Sequence, residues 1–499
     1  MKKIVICAFV FSTFSSNAQN ATSQDSLKGW HLKEKTTDGF AGINLKKAYE
    51  KLQSKKSTPV IVAVIDSGVD TLHEDLKPVL WKNEKEIPHN GIDDDGNGYI
   101  DDYYGWNFLG NKNGTNIEKA AAEKARVYHA YKAKYEGKQI DESTLSKEEL
   151  YIYKMWKRAA SNIEPSTNSG VQLIQYERIA KNLSDWDSLI CVEGNVKEYS
   201  ATELEKLNLT SAPAKKAKLN FLRLMKGLPF GDDAKSSFII ETLNEEIDRL
   251  KDEVEAKEKP PVDLRAEVTK DNYNDINDRF YGNCDVMGKG SRHGTHVSGI
   301  IAAVRGNGIG MDGVANNVKL MTIRAVPNGD EYDKDIALAI RYAVDNGAKV
   351  INMSFGKGFS PEKKWVDDAF KYAASKDVLL IHAAGNDAKN VDSTENYPCA
   401  EMLTGEWVNN VITVGAASDV SIANNYVATF SNYGKKNVDV FAPGNQIYST
   451  IPGGNTYGFL DGTSMASPVV AGLAALVRSY FPNLTAIQVK QSIEQGVAV

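Results

Sequence analysis

The chain has 499 residues, with 59 basic and 65 acidic side chains, a net charge of −6, 42% hydrophobic residues and 39 glycines. That near-balance gives no basic footprint for nucleic acid and no strong pull toward anionic lipid. The apolar share is that of a globular protein, not a disordered one, and the length allows more than one domain.

The first residues read as an export signal. Lys2 and Lys3 precede the apolar run Ile4 to Phe11, and Ser15-Ser16-Asn17-Ala18 leads to Gln19. The run is too short to span a bilayer. Residues 1–19 are therefore expected to be a signal peptide for the Sec pathway. The mature chain is expected in the periplasm, at the cell surface or in the medium, without stable membrane insertion. Cys191, Cys284 and Cys399 remain after its removal, an odd number that implies no disulfide framework.

Residues 20–58 are polar and then amphipathic, with apolar residues at helical spacing over 43–52. Pro59 to Ile65 is a continuous β-branched run, the mark of a strand buried on both faces, and it ends in Asp66-Ser67-Gly68. Similar runs start at Val318, Val350, Val378 and Val411, with helical patterns between them at 335–343 and 365–374. Strand and helix in alternation predict an α/β fold with a doubly wound, mostly parallel sheet. In such sheets functional residues gather at the carboxyl ends of the strands.

Residues 112–264 differ. They are rich in Lys, Glu and Ala, helical in period over 118–135, 147–160, 214–226 and 238–256, and closed by Lys257 to Pro261. This stretch is expected to be a mainly helical insertion. It divides the α/β domain into an N-terminal part, 20–111, and a C-terminal part, 265–499.

Gly462-Thr463-Ser464-Met465-Ala466-Ser467-Pro468 runs into the apolar helix pattern 469–476. A hydroxyl at a helix start lies beside free N–H groups and the positive dipole end, which suits a nucleophile and an adjacent anion. Three strand-end or helix-start groups complete a hydrolytic set. His293, in Arg292-His293-Gly294-Thr295-His296, can take and return a proton near neutral pH. Asp66 can orient the imidazole and stabilise its charged form. Asn386, after a strand in Ala384-Gly385-Asn386, can donate to an oxyanion together with the backbone N–H of Ser464. His296, a turn deeper in an apolar helix, is expected to pack below the site, since no third zinc ligand accompanies it.

Val62 to Val69, His293 to Gly299, Ala384 to Asn386 and Gly462 to Pro468 resemble, in order, four signature blocks of the subtilisin-like serine peptidases. The resemblance covers about 59–110 and 265–495. It implies a subtilisin-like fold and an endopeptidase that hydrolyses polypeptide substrates through an acyl-enzyme. Asp66 would be the orienting acid, His293 the general base and acid, Ser464 the nucleophile and Asn386 the oxyanion donor. Ser354-Phe355-Gly356 and Ala383-Ala384-Gly385 would line the pocket before the scissile bond, with substrate backbone added to these strand edges. The chain departs from the family in two respects. Residues 19–58 are too short for a folded inhibitory pro-domain, and the 112–264 stretch lies between acid and base. That stretch is expected to flank the cleft, restricting access or binding a partner whose identity the sequence leaves open.

A second cluster is Asp93-Asp94-Asp95-Gly96-Asn97-Gly98-Tyr99-Ile100-Asp101-Asp102. Counted from Asp93, ligand oxygens fall on Asp93, Asp95, Asn97, the Tyr99 carbonyl and Asp101, with Gly98 at the sharp turn, as in the first part of an EF-hand loop. The closing Glu is absent, since Tyr104 holds its place, and Asp102 is the candidate substitute. Structural calcium is the expected cofactor, and an acidic turn the alternative. Asp75 and Gly306 to Gly310 resemble parts of another family calcium site. For function, the competing reading is a non-catalytic peptide- or partner-binding protein on a peptidase scaffold, although no catalytic residue is lost here. An esterase or ligase using the same triad is a third.

Overall fold

The computed structural model describes residues 24–166, 168–228 and 234–497; the expected signal peptide, 1–19, lies outside them. The N-terminal segment forms short helices α1 (Gln24–Leu27), α2 (Lys35–Asp38) and α3 (Leu45–Leu52). It is not a loose leader. Leu27, Trp30, Phe40 and Leu45 are buried in the same core as the sheet, and Trp30 Nε1 donates to the carbonyls of Asn445 (3.1 Å) and Gln446 (3.0 Å).

β1 (Val60–Asp66) follows, then β2 (Gly105–Asn107). Residues 112–264 carry α4 (Glu123–Tyr135), α5 (Lys147–Asn162), α6 (Ser169–Gly194), α7 (Ala201–Lys206), α8 (Ala212–Gly227) and α9 (Ser236–Glu255). The short α10 (Leu264–Glu267) leads back to α11 (Arg292–Ala302). The remainder alternates: β3 (Val318–Arg324), α12 (Asp333–Asp345), β4 (Val350–Met353), α13 (Lys363–Ser375), β5 (Leu379–Ala383), β6 (Val411–Ala417), α14 (Val420–Ala423), β7 (Val440–Pro443), the hairpin β8 (Ile447–Ile451) and β9 (Thr456–Leu460), α15 (Thr463–Tyr480) and α16 (Ala486–Gln495).

Seven strands form one parallel sheet in the order β2-β3-β1-β4-β5-β6-β7, with β8 and β9 antiparallel beside it. The apolar run of β1 is explained by its two neighbours and two faces. Side chains alternate across a strand. Val60, Val62 and Val64 join the core with residues of α11 and α15, whereas Ala63 and Ile65 join the core with residues of α12 and α13. Helices therefore cover both faces, as the doubly wound reading requires.

The helical segment has cores of its own. Tyr128, Tyr135 and Trp156 pack between α4 and α5, and Leu204, Phe221 and Ile247 pack among α7, α8 and α9. α5 starts with a capping box, in which Ser146 and Glu149 satisfy each other's backbone N–H. Both ends of the segment are tied to the start of α12 by buried ion pairs. Lys357 Nζ lies 2.7 Å from Glu123 and 2.8 Å from Asp333. Arg265 lies 2.6 Å from Asp335 and 2.8 Å from Asp271, which also pairs with Lys334 at 2.6 Å.

One buried group makes the fold acid-sensitive. His31 is fully buried, both ring nitrogens lack a hydrogen-bond partner among the described residues, and burial pushes its pKa from 6.5 down to about 3. The folded chain holds it neutral while the unfolded chain protonates it below about pH 6.5, so its contribution to stability is lost as pH falls from there toward 3. In urea unfolding of wild type and His31→Leu, the difference should move in the variant's favour by about 1.4 kcal/mol per pH unit between pH 6 and 4. A difference that stays flat over that range would contradict this.

Candidate active site

Asp66 ends β1 between the ends of β3 and β4, and its carbonyl accepts the N–H groups of Ala325 (3.0 Å) and Val326 (3.2 Å). Its carboxylate is almost wholly buried, and Oδ1 accepts Ser67 N–H at 2.7 Å. His293 is the second residue of α11, and its Nδ1 lies 2.7 Å from the same Oδ1. Gly294 permits this approach. A Cβ there would stand 2.1 Å from the Gly68 carbonyl oxygen and 3.1 Å from Asp66 Cβ, so any side chain would push the helix start off the strand end. His296, one turn on, is fully buried with Nε2 between the carbonyls of Ile447 (3.0 Å) and Gly458 (3.1 Å); burial lowers its pKa to about 3. It packs below the surface, as its position in the helix predicts.

Ser464 is the second residue of α15, which packs along α11. Hydroxyls lock this helix start to the end of β4. Ser464 Oγ donates to the Ser354 carbonyl (3.0 Å), Ser354 Oγ to the Ser464 carbonyl (2.9 Å), and Ser467 Oγ to Asn352 Oδ1 (2.9 Å). Asn386 faces the same turn. Its Oδ1 accepts Thr463 N–H (2.8 Å) and Thr463 Oγ–H (3.0 Å), which fixes the amide. Gly462, at φ +150°, leaves open the space beside it. A Cβ on Gly462 would lie 3.5 Å from both Asn386 Nδ2 and Ser464 N. Two potential donors thus border the space beside Gly462, an arrangement suited to an anionic oxygen.

The segments Ser354-Phe355-Gly356 and Ala383-Ala384-Gly385 leave the adjacent ends of β4 and β5. Sequence reasoning missed Asn396, which lies between them. Its Oδ1 would be 3.4 Å from a Cβ on Gly356 and 3.6 Å from one on Gly385, and its Nδ2 donates to the Ala384 carbonyl at 3.1 Å. Its sequence neighbourhood, ahead of Tyr397-Pro398, carries no chemical pattern that would single it out.

The acidic loop folds differently from the EF-hand count. Asp93 and Asp95 converge with Glu86, one carboxylate oxygen from each lying within 4.8 Å of the other two. Asn97 lies alongside, its Oδ1 accepting Tyr99 N–H (2.8 Å), while the Tyr99 ring packs edge-on to Trp106 and Tyr342. Asp101 takes a left-handed turn (φ +56°) and spends both carboxylate oxygens on the N–H groups of Asn90 and Gly91. Asp102 is buried under the loop, accepting from Asn83, Asn97 and Tyr342, and burial raises its pKa. Glu86 has no place in an EF-hand count. Its Oε1 accepts Asp94 and Asp95 N–H, but its Oε2 is buried without a hydrogen-bond partner among the described residues, and burial pushes its pKa up. Three carboxylates around one unpartnered buried oxygen fit a hard, oxygen-seeking cation. Asp75 lies elsewhere, accepting Asn307 Nδ2 at 2.6 Å.

The model of the Subtilase family matches residues 57–497. A thermophilic serine proteinase of Bacillus sp. (strain AK1) is 44% identical over 206 residues, which are 41% of this chain and 46% of that protein. Subtilisin DY of Bacillus licheniformis is 40% identical over 208 residues, 41% of this chain and 69% of that protein. The crystal structure of a cold adapted subtilisin-like serine proteinase aligns over 44% of this chain and 72% of its own, with 31% identity and a TM-score of 0.36. The family match runs across most of the length and includes the segments that bring Asp66, His293, Asn386 and Ser464 to one sheet edge; the chain belongs to the subtilase family.

Proposed function

We propose that this chain is an exported serine endopeptidase that hydrolyses polypeptides through an acyl-enzyme. The observation that carries the reading is the 2.7 Å contact of His293 Nδ1 with Asp66, at the start of a helix packed along the one that presents Ser464. His293 takes the Ser464 proton as Oγ attacks the scissile carbonyl carbon. Asp66 keeps Nδ1 protonated and stabilises the imidazolium. Asn386 Nδ2 and Ser464 N–H receive the developing oxyanion. His293 then returns the proton to the leaving amine, and water, activated by the same base, releases the acyl group. Substrate backbone lies along the 354–356 and 383–385 edges, with Asn396 between them. Glu86, Asp93 and Asp95 would hold a calcium ion, which supplies charge compensation to the 86–102 loop and takes no part in hydrolysis.

Ser464→Ala is expected to reduce casein turnover by roughly 10⁶-fold and to abolish fluorophosphonate labelling while unfolding as the wild type does. A variant that cleaves at the wild-type rate refutes the assignment. Wild type that is folded yet takes up no label would point to a binding protein instead. Asn386→Ala should lower kcat about 10²- to 10³-fold with KM little changed; a change confined to KM would remove Asn386 from the oxyanion site. For the loop, calcium should raise the wild-type Tm relative to chelator, and Glu86→Gln should lose most of that shift. An undiminished shift in the variant would place the ion elsewhere.

A further inference from the structure

α11 begins one residue before His293, and Thr295 Oγ1 ties its first turn to the Ser291 carbonyl at 2.6 Å. Ser291 stands at the N-cap, and among the described residues its side chain makes no capping bond. A cation at the first position of a helix opposes the helix dipole. Arg292 is that cation, and it is held from outside the α/β sheet. Its guanidinium donates to Thr242 Oγ1 (2.9 Å) and Glu245 Oε2 (3.0 Å) of α9 and lies 4.5 Å from the centre of the Phe238 ring. Its side chain is only 14% exposed. Charge, hydrogen bond and ring therefore meet on one side chain, and the carboxylate of Glu245 supplies the negative charge that the helix start lacks. The same helical core as α9 takes in Leu460, four residues before Ser464.

The inner side of the turn is set by Gly294 against β1 and by the 2.7 Å contact of His293 with Asp66, and on the outer side Arg292 is held by the helical segment. We propose that Arg292 is a positioning residue for His293, and that the helical segment 112–264, through α9, aligns the base with Asp66 and Ser464. The proposal rests on the peptidase reading above.

The test compares wild type with Arg292→Ala and Arg292→Lys. Arg292→Ala should lower kcat about 10- to 100-fold with KM within about twofold, the cost of a small misplacement of a reacting group. Amide hydrogen exchange should accelerate at Thr295, His296 and Val297 and stay unchanged in β5 and β6. Arg292→Lys, which keeps the charge opposite Glu245, should recover most of kcat and of the protection. Unchanged kcat, unchanged exchange at those three amides, or exchange accelerated throughout the sheet would each overturn the proposal. If Arg292→Ala does not fold, Thr242→Val and Glu245→Gln keep Arg292 and weaken the same contact; kcat at the wild-type level in both overturns it equally. Wild type without fluorophosphonate labelling at Ser464 overturns the peptidase reading and this proposal together, whereas labelled wild type with an indifferent Arg292→Ala overturns this proposal alone.

Discussion

The 2.7 Å contact between Asp66 and His293 joins residues 227 positions apart, and most of the architecture can be understood as what makes it possible. A carboxylate buried this deeply at a strand end needs a partner, since an isolated buried charge is strongly disfavoured. The parallel sheet brings strand carboxyl ends to one edge, and β1, flanked by β3 and β4, puts Asp66 in the interior of that edge. α11 can reach it because Gly294 offers no side chain where the strand end must lie. The turn at Gly462 then sets Ser464 and Asn386 beside the same edge through hydroxyl and amide contacts to β4 and α15.

The polar groups around this centre are used in two different ways. Buried ion pairs at Glu123, Lys357, Asp333, Arg265 and Asp335 anchor the helical segment to α12. Such pairs add little net stability over apolar packing, yet losing one partner costs about 3–5 kcal/mol, so they specify where the segment sits. At the 86–102 loop the balance is reversed. Among the described residues Glu86 Oε2 is left without a hydrogen-bond donor, and one carboxylate oxygen from each of Glu86, Asp93 and Asp95 lies within 4.8 Å of the other two. The first arrangement pairs opposite charges within the chain, while the second crowds like charges together, which an added positive charge would offset.

Much of this was legible in the sequence because the signals were local. β1 reads as a buried strand from its unbroken β-branched run, and α12 and α13 read as helices from apolar spacing. Asp66, His293, Asn386 and Ser464 stand out because each sits in a short block at a strand end or helix start. What escaped was set by tertiary contact. β2 has three residues and exists only through its pairing with β3. α6 lacks a clean apolar stripe, with Val171, Ile174 and Val192 exposed, so its period is blurred. Glu86 joins Asp93 and Asp95 through a turn that no ligand count anticipates, and Asp101 is drawn off by a left-handed backbone. Arg292 reads as an ordinary surface cation until α9 is placed against it.

The helical segment also bears on how acid and base come together at all. Closing a loop of more than two hundred flexible residues costs more than closing a short one, but only logarithmically. The segment reduces even that. α4 pairs with α5, and α6 packs with α8 and α9, so its contacts are made largely within itself and its two ends are then pinned to neighbouring points on α12. Once folded it acts as a short connection between β2 and α11 and not as a long one. Sequence-local helical contacts form quickly, whereas the parallel pairing of β1 with β3 and β4 spans hundreds of residues and forms slowly. α9, whose Thr242 and Glu245 hold Arg292 at the start of α11, belongs to that self-packed segment, so the distance in sequence between Asp66 and His293 carries less of the entropic cost than its length suggests.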